Sequence, residues 1–196
     1  MKQSIWNHNL AYNSWINKRI KKRSKILDVG CGKGYLDFYL YDGNRSITGI
    51  DIDTSNIKYD KKSYSKIRFI KDDFLCHDFK NEKFDVIIFV ASIHHMDERK
   101  ALEKTKQLLN KNGVVIIVGL SKPSSIADWL IEFGRIVPSS IISKFKRMQT
   151  SEDLNINVNY NLPSMCDLKS LYRKEIPGYK LRYGLYYRYL LYWIKY

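Results

Sequence analysis

Between residues 25 and 120 the chain alternates apolar runs with polar or helix-forming stretches. The runs are KILDVG, SITGIDI, IRFIKDDF, FDVIIFVAS and VVIIVGL, each six to nine residues long. They are rich in β-branched and aliphatic side chains, and the first ends at glycine while the third leads into polar residues. That pattern predicts strands, and the almost wholly apolar fourth run predicts one covered on both faces. Helices are predicted over 35–41, stopped near Asp42-Gly43, and over the amphipathic stretch 97–109, before a turn at Asn112-Gly113. Such alternation argues for an α/β fold, a parallel sheet with helices on both faces.

The flanks read differently. Residues 5–20 predict a helix on which Trp6, Leu10, Trp15 and Ile16 share a face, with His8 and Tyr12 one turn apart. Residues 121–165 read as helical pieces broken at Gly134 and Pro138, too long for a plain loop and expected to be a lid or substrate-binding insertion. A helix near 164–175 and a turn at Pro177-Gly178 lead into YKLRYGL and YYRYLLYWIKY, a predicted antiparallel pair joined around residues 185–187. A lone hairpin is marginal in water, and Tyr183, Tyr189, Leu191 and Trp193 are too apolar to stay exposed. The pair is therefore expected to complete the same sheet, giving seven strands in one domain.

Charge changes this picture only at the ends. The net charge is +14, yet residues 1–25 hold seven Lys or Arg and no acid, and residues 144–196 hold ten bases against four acids. The middle is close to neutral. A basic rim fits an anionic substrate, a nucleic acid or a membrane surface. KRIKKRSK lacks the interleaved aromatics of a single-strand binder, so a solvated surface is favoured over a nucleic-acid partner. The three cysteines, Cys31, Cys76 and Cys166, match no zinc spacing and are expected to be reduced thiols of a cytoplasmic protein. No apolar run is long enough for a transmembrane helix, and no signal peptide is evident.

The chemistry starts at ILDVGCGKGYL, where Gly30, Gly32 and Gly34 occupy alternate positions behind Asp28. So much glycine weakens a strand and points to a ligand lying against the main chain. The spacing is neither the dinucleotide fingerprint nor a phosphate loop, since Tyr35 stands where the third fingerprint glycine would fall. Asp51 ends the second strand about 20 residues further on, where a carboxylate accepts from ribose hydroxyls. Asp72 and Asp73 end the third, where a carboxylate can take an adenine amino group.

These residues resemble the class I S-adenosylmethionine-dependent methyltransferases over nearly the whole chain. LDVGCGKG is similar to that family's first motif, GIDID to the second, KDDF to the third, FDVIIFVASIHHM to the fourth, and LLNKNGVVIIVGL to the turn and strand that follow. The N-terminal HN with Tyr12 and the C-terminal IPGYKLRYGLYYRYLLYWIKY resemble a bacterial subgroup of small single-domain enzymes. The resemblance implies a Rossmann-like, mostly parallel sheet ending in an antiparallel pair, and S-adenosylmethionine as cofactor. It divides the domain into an N-terminal helical lid (1–24), a cofactor-binding core (25–120), the insertion (121–165) and a last helix with hairpin (166–196). It implies that Gly30, Gly32 and Gly34 face the methionine part and ribose, and that Asp28 helps hold the ammonium group. Asp51 would bind ribose, Ile52 an adenine face, Asp73 with Phe74 the adenine edge, and the Val90 carbonyl the ammonium group. Asp72 stands where the family has glycine, which leaves Asp72 open beside Asp73.

Methyl transfer from a sulfonium releases a neutral leaving group, so alignment matters more than acid catalysis. A base is needed only where the nucleophile must lose a proton. His94 and His95, just past the fourth strand, are the candidates; His95 is expected to pack structurally beneath the cofactor loop, with His94 as the catalytic alternative. His8 and Tyr12 are placed to close over the cofactor, His77 is expected in an exposed loop, and no third ligand accompanies the His pair to make a metal site. VASIHH after the fourth strand excludes the Asn/Asp-Pro-Pro-aromatic signature of base-amino methylation and the Pro-Cys nucleophile of cytosine C5 methylation. Ile126, Trp129, Leu130, Phe133 and Ile136 point to a partly apolar small-molecule substrate. The alternatives are an RNA or peptide substrate bound through the basic ends, and a non-catalytic cofactor-binding assembly protein.

Overall fold

The computed structural model describes residues 10–55, 57, 62–122, 162–185 and 188–196. A 3-10 turn, Leu10–Tyr12, leads into α1 (Asn13–Asn17), then β1 (Lys25–Val29), α2 (Tyr35–Leu40), β2 (Ser46–Asp51), β3 (Ile67–Lys71) and β4 (Phe84–Val90). A second 3-10 turn, Ile93–His95, precedes α3 (Glu98–Leu108), β5 (Leu109–Leu120), α4 (Met165–Glu175), β6 (Lys180–Tyr183) and β7 (Arg188–Ile194). The strands form one sheet in the order β3-β2-β1-β4-β5-β7-β6. The first five are parallel, while β7 runs antiparallel to both β5 and β6. The C-terminal runs thus complete the sheet, as their apolar side chains require.

Period-two alternation divides the core. On β4, Ile87 and Phe89 face one side with Val115 and Ile117 of β5, beneath Ala101, Leu102, Leu168 and Tyr172 of α3 and α4. Val86 and Ile88 face the other with Ile26, Ile47 and Ile116, beneath Ile16, Leu36 and Leu40 of α1 and α2. Each such fully buried aliphatic side chain stabilises the fold by roughly 1.5–3 kcal/mol.

Three boundaries differ from expectation. The N-terminal helix stops at Asn17 because the next residues tighten, Arg19 N–H bonding to Ile16 and Ile20 N–H to Asn17. The buried Arg45 then takes the Asn17 side chain and the Leu40 and Ile20 carbonyls. Strand β4 ends at Val90 because Ala91 adopts a left-handed conformation, φ 52°. Asn112-Gly113 does not separate α3 from β5. It sits within β5 as an irregularity, Asn112 at φ 61°, between the Phe84↔Leu109 and Val86↔Val114 pairings. The bulk of 121–165, with the broken helical pieces expected there, and His8 lie outside the described residues. Among the described residues no helix is long and apolar enough to cross a membrane.

The β5–β7 seam depends on Gly119. A Cβ there would overlap the Tyr189 ring, which cannot withdraw: it is buried, and its hydroxyl is 2.7 Å from that of Tyr172. Gly119→Ala should therefore cost about 1–3 kcal/mol by overpacking. Urea unfolding with an unchanged midpoint would show that the ring is not fixed.

Candidate active site

The site lies at the carboxyl ends of the parallel strands, where β1 and β4 sit side by side and their outgoing chains diverge to opposite halves of the sheet. The glycine loop leaves β1 with Gly30, Gly32 and Gly34 at φ 75°, 53° and 73°. The reasons for glycine differ. A Cβ on Gly30 would collide with Ser92, whose hydroxyl donates to the Val29 carbonyl at 2.5 Å. On Gly32 it would meet nothing within 4 Å, so that glycine faces open space.

Asp51, at the end of β2, organises the loop. One carboxylate oxygen accepts the Gly32 N–H at 2.8 Å and the other the Asp53 N–H at 3.0 Å. A carboxylate has about four lone-pair sites, so each oxygen retains capacity for a hydroxyl donor. Beside it Ile52 is 73% exposed, an unusual position for a large aliphatic side chain. Asp53 accepts from the Ser55 N–H at 3.0 Å.

The two acids after β3 separate in role. Asp72 accepts the Asp73 N–H at 2.8 Å and lies 2.8 Å from His77 Nδ1. Asp73 folds over the Leu75 N–H at 2.7 Å, and Phe74 is buried in the core behind it. His77, expected in an exposed loop, is instead held by Asp72 and packs edge-on against Phe79 at 4.5 Å.

Beyond β4, the left-handed Ala91 donates its N–H to Val118 and turns the chain out of the sheet. His94 and His95 follow, their rings 4.1 Å apart. His95 is exposed, which corrects the expectation that it packs beneath the cofactor loop. His94 is the half-buried member. Burial, then His95 and Arg188, lower its pKa to about 4, so it is neutral at pH 7. Tyr12 is buried and donates to the Leu185 carbonyl at 2.6 Å, tying the N-terminal segment to the C-terminal hairpin.

A cavity of about 320 Å³ opens past the ends of β4 and β5, lined by His94, Met96, Glu98, Lys122, Leu162, Pro163 and Asp167. Asp167 is held by the Ser164 capping box. Glu98 is different. Burial alone pushes its pKa up to about 7. Reading from sequence missed it, because an acid in the first turn of a helix normally complements the helix dipole in solvent.

Residues 20–174 match the methyltransferase domain family. The chain belongs to that family. It is a class I S-adenosylmethionine-dependent methyltransferase. Among its relatives, an uncharacterized methyltransferase of Mycobacterium tuberculosis is 26% identical over 187 residues, 87% of this chain and 94% of the relative. The ubiquinone biosynthesis O-methyltransferase of Actinobacillus pleuropneumoniae is 26% identical over 168 residues, 79% of this chain and 68% of the relative. In fold, the chain is similar to the plantazolicin methyltransferase BpumL in complex with SAH, with a TM-score of 0.61 and 17% identity, covering 95% of this chain and 82% of that one.

The residues of the methyltransferase fit this cofactor. Asp28 is buried with Oδ1 unpartnered among the described residues, suited to a cationic donor. Gly32 faces open space, Asp51 has acceptor capacity to spare, and Ile52 offers an uncovered apolar face.

Glu98 also sets a pH dependence. Its carboxyl ionises near 4.5 in the unfolded chain and near 7 in the folded one. Its contribution to stability is therefore whole below about pH 4.5 and is lost as pH climbs through 7. Between pH 4.5 and 7.5 the wild type should lose stability relative to Glu98→Gln, on the order of 2 kcal/mol after allowing for partial exposure. Parallel pH profiles of the two proteins in urea unfolding would count against this environment for Glu98.

Proposed function

We propose that this methyltransferase transfers the methyl group to an oxygen or nitrogen of a small molecule. The observation that carries the proposal is the cavity beyond β4 and β5: about 320 Å³, within the usual range for small-ligand sites, and lined by His94, Glu98 and Lys122 over an apolar floor of Met96, Leu162 and Pro163. S-adenosylmethionine supplies a methyl group on a sulfonium whose departure needs no proton. On this reading Asp51 accepts from the ribose hydroxyls, Ile52 lies on one adenine face, and Asp73 with Phe74 meets the adenine edge. Gly30, Gly32 and Gly34 line the ribose and methionine portion, while Asp28 and the Val90 carbonyl take the ammonium group. Tyr12 acts from behind, holding the hairpin at Leu185.

Residues on the far side of His94 then bind and orient the acceptor. A general base works best with a pKa near the working pH. Glu98, near 7, meets that condition better than His94, near 4. Glu98 is the group we assign to receive the acceptor's proton, and neutral His94 orients the nucleophile by hydrogen bonding. His95, being exposed, lies at the rim. The whole chain is read as one domain.

The test is transfer of labelled methyl from S-adenosylmethionine to separate pools of phenols, amines and carboxylic acids, with bulk RNA and basic peptides alongside. Label in a small-molecule pool that falls roughly 10²–10⁴-fold in Glu98→Gln, while S-adenosylhomocysteine affinity is unchanged, is the expected result. Label confined to RNA or peptide would overturn the substrate reading, and none anywhere would favour a cofactor-binding assembly protein. Asp51→Ala should weaken S-adenosylhomocysteine binding by roughly 1.5–3 kcal/mol in titration calorimetry. An unchanged dissociation constant would misplace the ribose.

A further inference from the structure

The two basic ends of the chain meet on the side of the sheet away from α3 and α4. Residues 10–25 hold six Lys or Arg and residues 179–196 hold four, with no acid in either stretch. β6 is the outermost strand, and its Lys180 and Arg182 pair with Tyr192 and Leu190 of β7. Leu190 and Tyr192 belong to the side of the core covered by α1. Residues paired across two strands share a face, so Lys180 and Arg182 stand on that side too, and both are exposed.

The meeting point is one indole ring. The Arg19 guanidinium lies 4.0 Å from the centre of the Trp15 ring and is fixed there by donating to the Trp15 carbonyl at 2.8 Å. It also lies 6.0 Å from the centre of the Tyr192 ring. Arg182, from the other end of the chain, lies 5.5 Å from the same indole. Two guanidinium groups thus share one ring, near enough that Arg182, after burial, lowers the Arg19 pKa. Among the described residues Lys18, Arg19, Lys180 and Arg182 form no ion pair, and the Trp15 indole N–H has no acceptor. Like charges held together without a counter-charge repel, and an incoming anion removes that repulsion. The basic residues on the opposite side of the sheet differ. On α4, Lys169, Arg173 and Lys174 lie between Asp167 and Glu175.

We propose that the cluster of Trp15, Arg19 and Arg182 is a docking surface for the phosphate headgroups of an anionic phospholipid bilayer. Guanidinium forks match phosphate oxygens, and stacking on the indole presets their orientation. A bilayer fits better than a nucleic acid. With Arg19 and Arg182 over the indole, that ring is not open to a base, and the stacking that holds single strands is lacking. Half-buried Trp15 and Tyr192 beside Arg and Lys suit the headgroup level, where aromatic rings have one end apolar and the other wet. The surface lies on the flank of the sheet, apart from the crevice beyond β1 and β4, so docking is independent of which acceptor the cavity takes.

The experiment is sedimentation of the full chain with vesicles of phosphatidylcholine, alone or mixed with phosphatidylglycerol, at physiological ionic strength. Binding confined to the mixed vesicles is expected. A basic residue at an anionic surface is worth about fivefold in affinity, so Arg182→Gln should weaken binding about fivefold and Arg19→Gln with Arg182→Gln roughly 10–30-fold. Lys169→Gln with Lys174→Gln removes the same charge from the opposite side of the sheet and should change binding by less than about twofold, since the charge lies beyond the reach of the surface potential. Circular dichroism checks that each variant is folded. Absence of binding to the mixed vesicles would overturn the proposal. Equal losses in the two double variants would overturn it as well, because net charge alone would then act. Binding of bulk RNA that depends on Arg19 and Arg182, without vesicle binding, would give the surface to nucleic acid instead. If the double variant at Arg19 and Arg182 does not fold, Arg182→Gln at its exposed position, set against Lys169→Gln, decides the same question.

Discussion

The contact between β1 and the chain leaving β4 is the constraint on which the site depends. Ser92 sits where a Gly30 side chain would be, and its hydroxyl closes on the Val29 carbonyl at 2.5 Å. That bond satisfies a backbone acceptor just where β1 leaves the sheet, and its geometry requires a residue without Cβ at position 30. With β1 and β4 fixed at this spacing, the glycine loop must rise on one side and the His94–His95 turn on the other. The crevice is the space left between two segments that cannot approach further.

Local charge opposes the global charge. The protein carries a net +14, yet Asp28, Asp51, Asp72 and Asp73 lie at or just past the carboxyl ends of β1, β2 and β3. On the other side of the crevice Lys122 lines the cavity with Glu98 and Asp167, and Arg188, whose pKa burial lowers to about 10, acts on His94, so this region is mixed in sign. Glu98 is displaced upward in that region by lack of solvent rather than by another acid, and burial above all, with Glu98 adding to it, raises the paired hydroxyls of Tyr172 and Tyr189.

Strands were legible in the sequence because a buried parallel strand has few alternatives to an unbroken apolar run. FDVIIFV and VVIIVGL form adjacent parallel strands, paired from Val86↔Val114 to Val90↔Val118. The glycines and Asp51 were legible for a similar reason: a residue type disfavoured in its setting calls for a cause. Glu98 was not, since an acid on a helix normally marks the solvent face. Only the packing of α3 against the segment before α4 reverses that reading. The exposure of His95 was hidden too, because two adjacent histidines differ only in which way a single 3-10 turn points them.

Strand β7 is the seventh to be made but not the seventh in place. It lies between β5 and β6, pairing from Val114↔Ile194 to Leu120↔Arg188. During synthesis β5 is therefore exposed along a full edge, with Val115, Ile116, Ile117 and Val118 already in line, until the chain has been extended past residue 194. An apolar edge of this kind is a template for pairing with another chain. At about 5–20 residues per second the exposure lasts several seconds on the ribosome. Yield of this enzyme during expression should thus be governed by translation speed and chaperone access between the completion of β5 and that of β7, even when the finished protein is stable.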